Sequence, residues 1–286
     1  MDLLRDLNDF QIYKKNDSRL HSDYRYKYSL PFETLPNAKP ITLFLQRNWM
    51  HTFTISIVYY VVIRLIQRIL VNRPPFVLKT PLLLWNTGLA LFSIMGFVRF
   101  SEDLLYSLRN QGLYRSLCES CHPEDVAAFW SFLFAVSKVV ELGDTLFIVL
   151  RKKPLIFLHY YHHVAVLIYT VHSGAEHTAP GRAFISMNYL AHSFMYTYYA
   201  VAAAGYKLPR WVSMGITTVQ TTQMLVGVAI SIGVYYMKSV LNLPCQQSFP
   251  NLYLAFIIYV TFAVLFIQFF YSSYFKKRTV KSKKNE

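Results

Sequence analysis

"NLYLAFIIYVTFAVLFIQFFYSSYF", residues 251–275, contains no Asp, Glu, Lys or Arg. A helix of roughly 20 such residues crosses the ~30 Å hydrocarbon layer of a bilayer, so this stretch reads as a membrane span. Comparable runs occupy about 50–71, 82–102, 126–150, 155–173, 183–204 and 211–236. Of the 286 residues, 54% are hydrophobic and 15% charged, whereas a soluble domain carries about 25% charge. The spacing therefore predicts an all-α polytopic membrane protein with seven transmembrane helices. Little chain is left over: an N-terminal segment (1–49), the helical domain (50–275) and a basic tail (276–286). The first 49 residues are polar and mixed in charge and read as no cleavable signal peptide.

Orientation follows from the distribution of Lys and Arg. One alternate set of connections holds Arg68, Arg73, Lys79, Arg151, Lys152, Lys153, Lys207 and Arg210, and the basic tail joins them. The opposite loops carry Arg109, Arg115, Arg182 and Lys238. This predicts a cytosolic C-terminus and a lumenal N-terminus, although eight basic and six acidic residues lie in the N-terminal segment. Asn16, in "NDS", is then a lumenal glycosylation acceptor. Cys118, Cys121 and Cys245 fall on the same oxidising side, with Cys245 expected to pair with Cys118 ahead of Cys121. The terminal "KKNE" resembles a dilysine retrieval signal of endoplasmic reticulum membrane proteins. The plainer reading is that basic residues there only enforce topology.

Charged side chains inside a span cost roughly 2.5–3.5 kcal/mol each and need partners. "KVVELGDT" (138–145) places Lys138, Glu141 and Asp144 on one helix face at steps of three. "FLHYYHHVAV" (157–166) places His159, His162 and His163 at i, i+3 and i+4. "MNYLAHSFMYTYYA" (187–200) aligns Asn188, His192, Tyr196 and Tyr199, and "TTVQTTQM" (217–224) adds Gln220 and Gln223. Counted from the cytosolic end at 1.5 Å per residue, Asp144, His162, Gln220 and His192 lie at depths of roughly 10–18 Å. A single intramembrane His or Asn can simply bind a neighbouring helix. Four spans delivering polar groups to one level describe a site.

Imidazole binds metals, moves protons and attacks carbonyls. Metal chemistry is one possibility, since HxxHH also occurs in membrane desaturases and hydroxylases. Those enzymes hold two irons with about eight histidines, however, and only His159, His162, His163 and His192 share a level here. Glu141 and Asp144 could complete a single-metal site. Acyl chemistry is a second possibility: no cysteine lies near the site, and a neutral imidazole could accept an acyl group while a second imidazole or Asn moves a proton or holds an oxyanion. A seven-span receptor or transporter with a polar belt is a third.

The motifs "KVVELGDT", "HYYHH" (159–163), "MNYLAHSFMYTYY" and "TTVQTTQM" resemble, in order and spacing, the fatty-acid elongase family. "RPPFVLKTPLLLWN" (73–86) and "LCES" (117–120) look most like its branch acting on saturated and monounsaturated chains. The resemblance implies a 3-oxoacyl-CoA synthase of the endoplasmic reticulum, with six of seven spans around an acyl tunnel. It would join acyl-CoA to malonyl-CoA with no cofactor and work beside the reductase, dehydratase and enoyl reductase of the cycle. By motif position, His162 would accept the acyl group and His192 would act on the malonyl group. His159, His163, Asn188 and Asp144 would support them. Lys138, Glu141, Tyr196, Tyr199, Gln220 and Gln223 would contact substrate or brace the site. CoA is polyanionic and needs cations at the cytosolic mouth; Lys152, Lys153, Lys207 and Arg210 are the candidates, with Arg151, Lys276 and Lys277 at the same mouth.

Overall fold

The computed structural model describes residues 2–13, 20–33, 35 and 37–276. Helices form wherever the apolar runs lie. Two short ones, α1 (Asp2–Leu7) and α2 (Ala38–Asn48), precede α3 (His51–Ile69) and α4 (Lys79–Asn110). The short α5 (Gly112–Cys118) leads to α6 (Val126–Val140) and α7 (Gly143–Leu150). Then come α8 (Phe157–Glu176), α9 (Gly181–Ala204), α10 (Arg210–Ser239) and α11 (Phe249–Tyr274). The described residues contain no strand, only an isolated bridge between His21 and Ser120.

Local chemistry sets the boundaries. Asp125 caps α6 by accepting from the Val126 N–H, and Ser248 caps α11 by accepting from the Asn251 N–H, each satisfying a donor the helix leaves open. Helix α9 stops at Gly205, whose φ of +108° is a left-handed conformation that glycine adopts without strain.

Four helices, α3, α4, α10 and α11, are long and apolar enough to cross a membrane, which makes the chain a multi-pass membrane protein. The other three expected spans differ for identifiable reasons. The stretch 126–150 is interrupted at Glu141–Leu142, where Leu142 N–H bonds Val139 O and Asp144 N–H bonds Glu141 O. These i→i−3 bonds tighten the helix locally, as 3₁₀ turns do at functional hinges. Helices α8 and α9 dilute their hydropathy with inward polar residues such as His163, Asn188 and His192, all buried.

Close backbone approaches fix how the helices meet. A Cβ on Gly96 of α4 would collide with the buried Tyr189 ring of α9, and one on Gly227 of α10 would collide with Tyr259 of α11. Each aromatic ring takes the space that the missing side chain leaves.

The N-terminal segment packs on the bundle. Trp49 is 1% exposed, clusters with Phe10 and Ala175, and donates through Nε1 to Asn8 Oδ1 at 2.8 Å. The fully buried Glu33 carboxylate accepts from Arg99 Nη2 (2.7 Å) and Nε (2.9 Å), Trp130 Nε1 (2.8 Å) and Leu30 N–H (3.0 Å). Burial raises the Glu33 pKa, but these donors outweigh it and hold the group down at about 2.

Cys118 and Cys245 form a disulfide, and Cys121 is free. Arg182 differs from the loop charge read in the sequence. It is 2% exposed at the start of α9 and bonds Asp103 Oδ2 (2.9 Å), Ser107 Oγ (2.8 Å) and Arg115 O (2.6 Å). An anion buried in α4 is the reason, and sequence spacing could not reveal it. Asn16 and the tail from Lys277 onward, with its "KKNE", lie outside the described residues.

Candidate active site

The polar residues of α6 to α10 converge. Lys138 and Glu141 are each 3% exposed and form an ion pair, with Nζ donating to Oε1 at 2.7 Å and Oε2 at 3.0 Å. The third donor of the ammonium goes to Asn188 Oδ1 at 2.9 Å. Ser137 Oγ also donates to Glu141 Oε1, at 2.9 Å. Neither Lys138 nor Glu141 lines either of the two cavities at this cluster; they stand behind residues that do. Glu141 Oε1 lies 3.7 Å from His192 Nδ1.

An ammonium can only donate. Its contact with Asn188 therefore identifies the carbonyl oxygen of that amide and turns the NH2 group away from Lys138. Asn188 lines both cavities.

Asp144 accepts from Trp85 Nε1 at 2.6 Å and Tyr196 OH at 2.7 Å. His163 Nε2 is 4.0 Å from the same carboxylate, beyond hydrogen-bond length. His159 Nε2 lies 2.8 Å from Thr145 Oγ1, which contacts Tyr59 OH at 2.6 Å. Gly143 permits this arrangement: a Cβ there would lie 2.8 Å from the Trp85 ring. His162 rests against Phe262 and Phe266, at ring-centroid distances of 4.9 and 6.3 Å.

Two cavities meet at this cluster. The wider, about 410 Å³, is lined by Asp144, His159, His162, His163, His192, Tyr196, Tyr199 and Gln220, with Arg151 and Lys153 also on its wall. That volume is typical of a small-molecule site. The narrower, about 140 Å³, is apolar and follows α8 past Val166, Thr170 and Gly174 to His177. His162, Asn188, Gln223 and Met224 line both.

The residues expected to share one level thus line one cavity, while the basic residues separate. Lys153 faces the wider cavity. Lys152 donates to Val71 O (3.0 Å) and Arg73 O (2.8 Å), fastening a loop. Arg210 bonds Ser273 O and Tyr274 O at the end of α11. Lys207 is exposed and lines neither cavity. Open backbone carbonyls near helix ends also take Lys and Arg as hydrogen-bond donors, which is why charge counting alone could not sort them.

The sequence reading missed Trp85 as the partner of Asp144. A tryptophan inside a span whose N–H needs an acceptor was the available signal. Among the described residues no group of three or more His, Cys, Asp or Glu side chains is placed to hold a metal ion.

The ELO: GNS1/SUR4 family profile matches residues 44–282. The chain is 61% identical over 283 residues to "Putative fatty acid elongase 4" of Caenorhabditis elegans, covering 98% of this chain and 97% of that protein. It is 44% identical to "Very long chain fatty acid elongase 6" of Drosophila melanogaster, covering 87% and 80%. The mouse protein of that name is 40% identical, covering 86% and 92%. With the motif residues gathered around shared cavities and the profile spanning most of its length, the chain belongs to the GNS1/SUR4 (ELO) family of fatty-acid elongases.

Proposed function

We propose that this protein performs the condensing step of fatty-acid elongation through an acyl group carried on His162. As an elongase it is a 3-oxoacyl-CoA synthase, joining acyl-CoA and malonyl-CoA with release of CO2 and CoA. The observation that carries the residue assignment is that His162 and Asn188 line both cavities, where a wide polar chamber meets a narrow apolar one. An acyl-CoA laid across that junction has its tail in apolar surroundings and its thioester carbonyl beside His162.

Attack by the imidazole nitrogen forms a C–N bond, and the tetrahedral oxyanion is held by the Asn188 N–H groups. Collapse breaks the C–S bond, and CoA leaves with the imidazole proton. Malonyl-CoA then occupies the wider cavity beside His192. Loss of CO2 leaves an enolate stabilised by His192. Its carbon attacks the acyl-imidazole, forming the C–C bond and breaking the C–N bond, and His162 leaves as neutral imidazole on taking up the one proton the overall reaction consumes from water. Lys138 and Glu141 position Asn188 and His192 and do not touch substrate. Arg151 and Lys153 supply positive charge for the CoA phosphates.

The seven long helical segments, counting α6 and α7 as one, act as the transmembrane set, six of them around the acyl path. The basic connections place the C-terminus in the cytosol and the N-terminus in the endoplasmic reticulum lumen. The working partners are the reductase, dehydratase and enoyl reductase of the elongation cycle. No cofactor is required by this chemistry.

The test is direct. Incubation with acyl-CoA, without malonyl-CoA, followed by proteolysis should yield a peptide containing His162 heavier by one acyl group, and added malonyl-CoA should discharge it. His162→Ala should abolish both the adduct and condensation. Wild-type turnover in His162→Ala would refute the covalent route.

A further inference from the structure

We infer that α2, from the N-terminal segment, forms the wall that sets the longest acyl chain the apolar cavity accepts. This rests on the acyl path assigned above but concerns residues largely outside the family profile, which begins at residue 44. Leu35, Ala38, Ile41 and Thr42 all line the narrow cavity and all precede that position. The length limit is therefore built, in part, from sequence that the shared family pattern does not prescribe.

The geometry gives the limit a value. His162, Val166, Thr170, Gly174 and His177 line the cavity in succession, and the helix rises about 22 Å between His162 and His177. An extended acyl chain, with C–C bonds of about 1.5 Å, advances about 1.25 Å per carbon. The face measures about 18 carbons. At its far end Thr42 Oγ1 is 2.8 Å from His177 Nε2. A Cβ on Gly174 would lie 3.9 Å from Leu45, so α2 runs across this end of α8 with Leu45 level with Gly174 and Thr42 level with His177.

The wall is held firmly. Gln46 Nε2 donates to Ala175 O at 3.1 Å, and Trp49 is buried immediately beyond α2. A wall anchored to the end of α8 through Thr42, Gln46 and Trp49 cannot yield to each added methylene, so a longer chain meets a stop.

The experiment uses full-length protein in detergent–lipid micelles, with saturated acyl-CoAs from decanoyl to docosanoyl. Two opposed variants are read against wild type. Ile41→Trp fills the end of the cavity and should lower the octadecanoyl-to-dodecanoyl rate ratio by about fourfold for each methylene displaced, the equivalent of burying one CH2. Ile41→Ala should raise the same ratio. Misfolding cannot shift it in both directions.

A second measurement needs no turnover. Thermal stabilisation by the same acyl-CoAs, without malonyl-CoA, should grow with chain length and stop growing at a shorter chain in Ile41→Trp than in Ile41→Ala. If both variants keep the wild-type rate ratio and the wild-type stopping point, the wall lies elsewhere and the inference falls. A stopping point that moves in a protein that condenses nothing upholds the wall and overturns the assigned reaction instead.

Discussion

Asn188→Asp removes the N–H donors of Asn188 and keeps its acceptor oxygen. The substitution keeps size and keeps the oxygen that accepts from Lys138 Nζ at 2.9 Å. It removes the side-chain N–H groups, because an ionised carboxylate only accepts. Loss of one preorganised oxyanion donor costs about 10²–10³ in kcat, or about 3–4 kcal/mol of transition-state stabilisation. The ground-state contacts of the acyl tail are untouched, so KM for acyl-CoA should change little. One ammonium then serves two carboxylates, the introduced one and Glu141, so a buried negative charge goes uncompensated and stability should also fall, by about 2.5–3.5 kcal/mol. The assay is steady-state malonyl-CoA incorporation, with unfolding of the same preparation followed in detergent. A folded Asn188→Asp enzyme retaining more than about a tenth of wild-type kcat would refute the assignment, since that loss is below what a removed donor costs.

Lys138→Met should destabilise the fold by about 3–5 kcal/mol, because Glu141 is left as an uncompensated buried anion; thermal unfolding reads this, and Lys138→Met combined with Glu141→Gln should recover part of it. Glu33 makes stability acid-sensitive. Its folded pKa of about 2 lies below the ordinary 4.5, so the stabilisation is complete above pH 4.5 and is lost as pH falls toward 2. Glu33→Gln should lower the melting temperature at neutral pH and remove that component of the acid dependence; an unchanged acid profile would count against the ion pair with Arg99. Gly96→Ala drives a methyl group into the Tyr189 ring and should cost about 1–3 kcal/mol of stability by overpacking, measurable as a lowered melting temperature, while Gly88→Ala, with open space around it, should not.

The membrane class, the helical runs and the four polar motifs were legible because burying charge in hydrocarbon is costly whatever the tertiary fold. A His, Asn or Asp inside a span announces itself by composition alone, and helical periodicity says which of them share a face. Those two facts gather His159, His162, His163, His192, Asn188, Asp144 and Gln220 as one group, and the choice of His162 and His192 among them rests on the family motifs.

What a side chain meets across the bundle is a different kind of fact, decided by non-local packing. The sequence shows Lys138 and Glu141 three residues apart, but only the fold shows their pair standing behind Asn188 and orienting its amide. Lys152, Lys153 and Arg210 are alike as cations at helix ends, yet one faces the wider cavity while the others satisfy backbone carbonyls. Gly143 and Trp85 are distant in the chain and touch because one lacks the Cβ that would exclude the other. Least legible was the far end of the apolar cavity. Its wall comes from an N-terminal helix too short and too mixed in polarity to read as part of the bundle, and its position depends on bonds to α8 that no local pattern encodes.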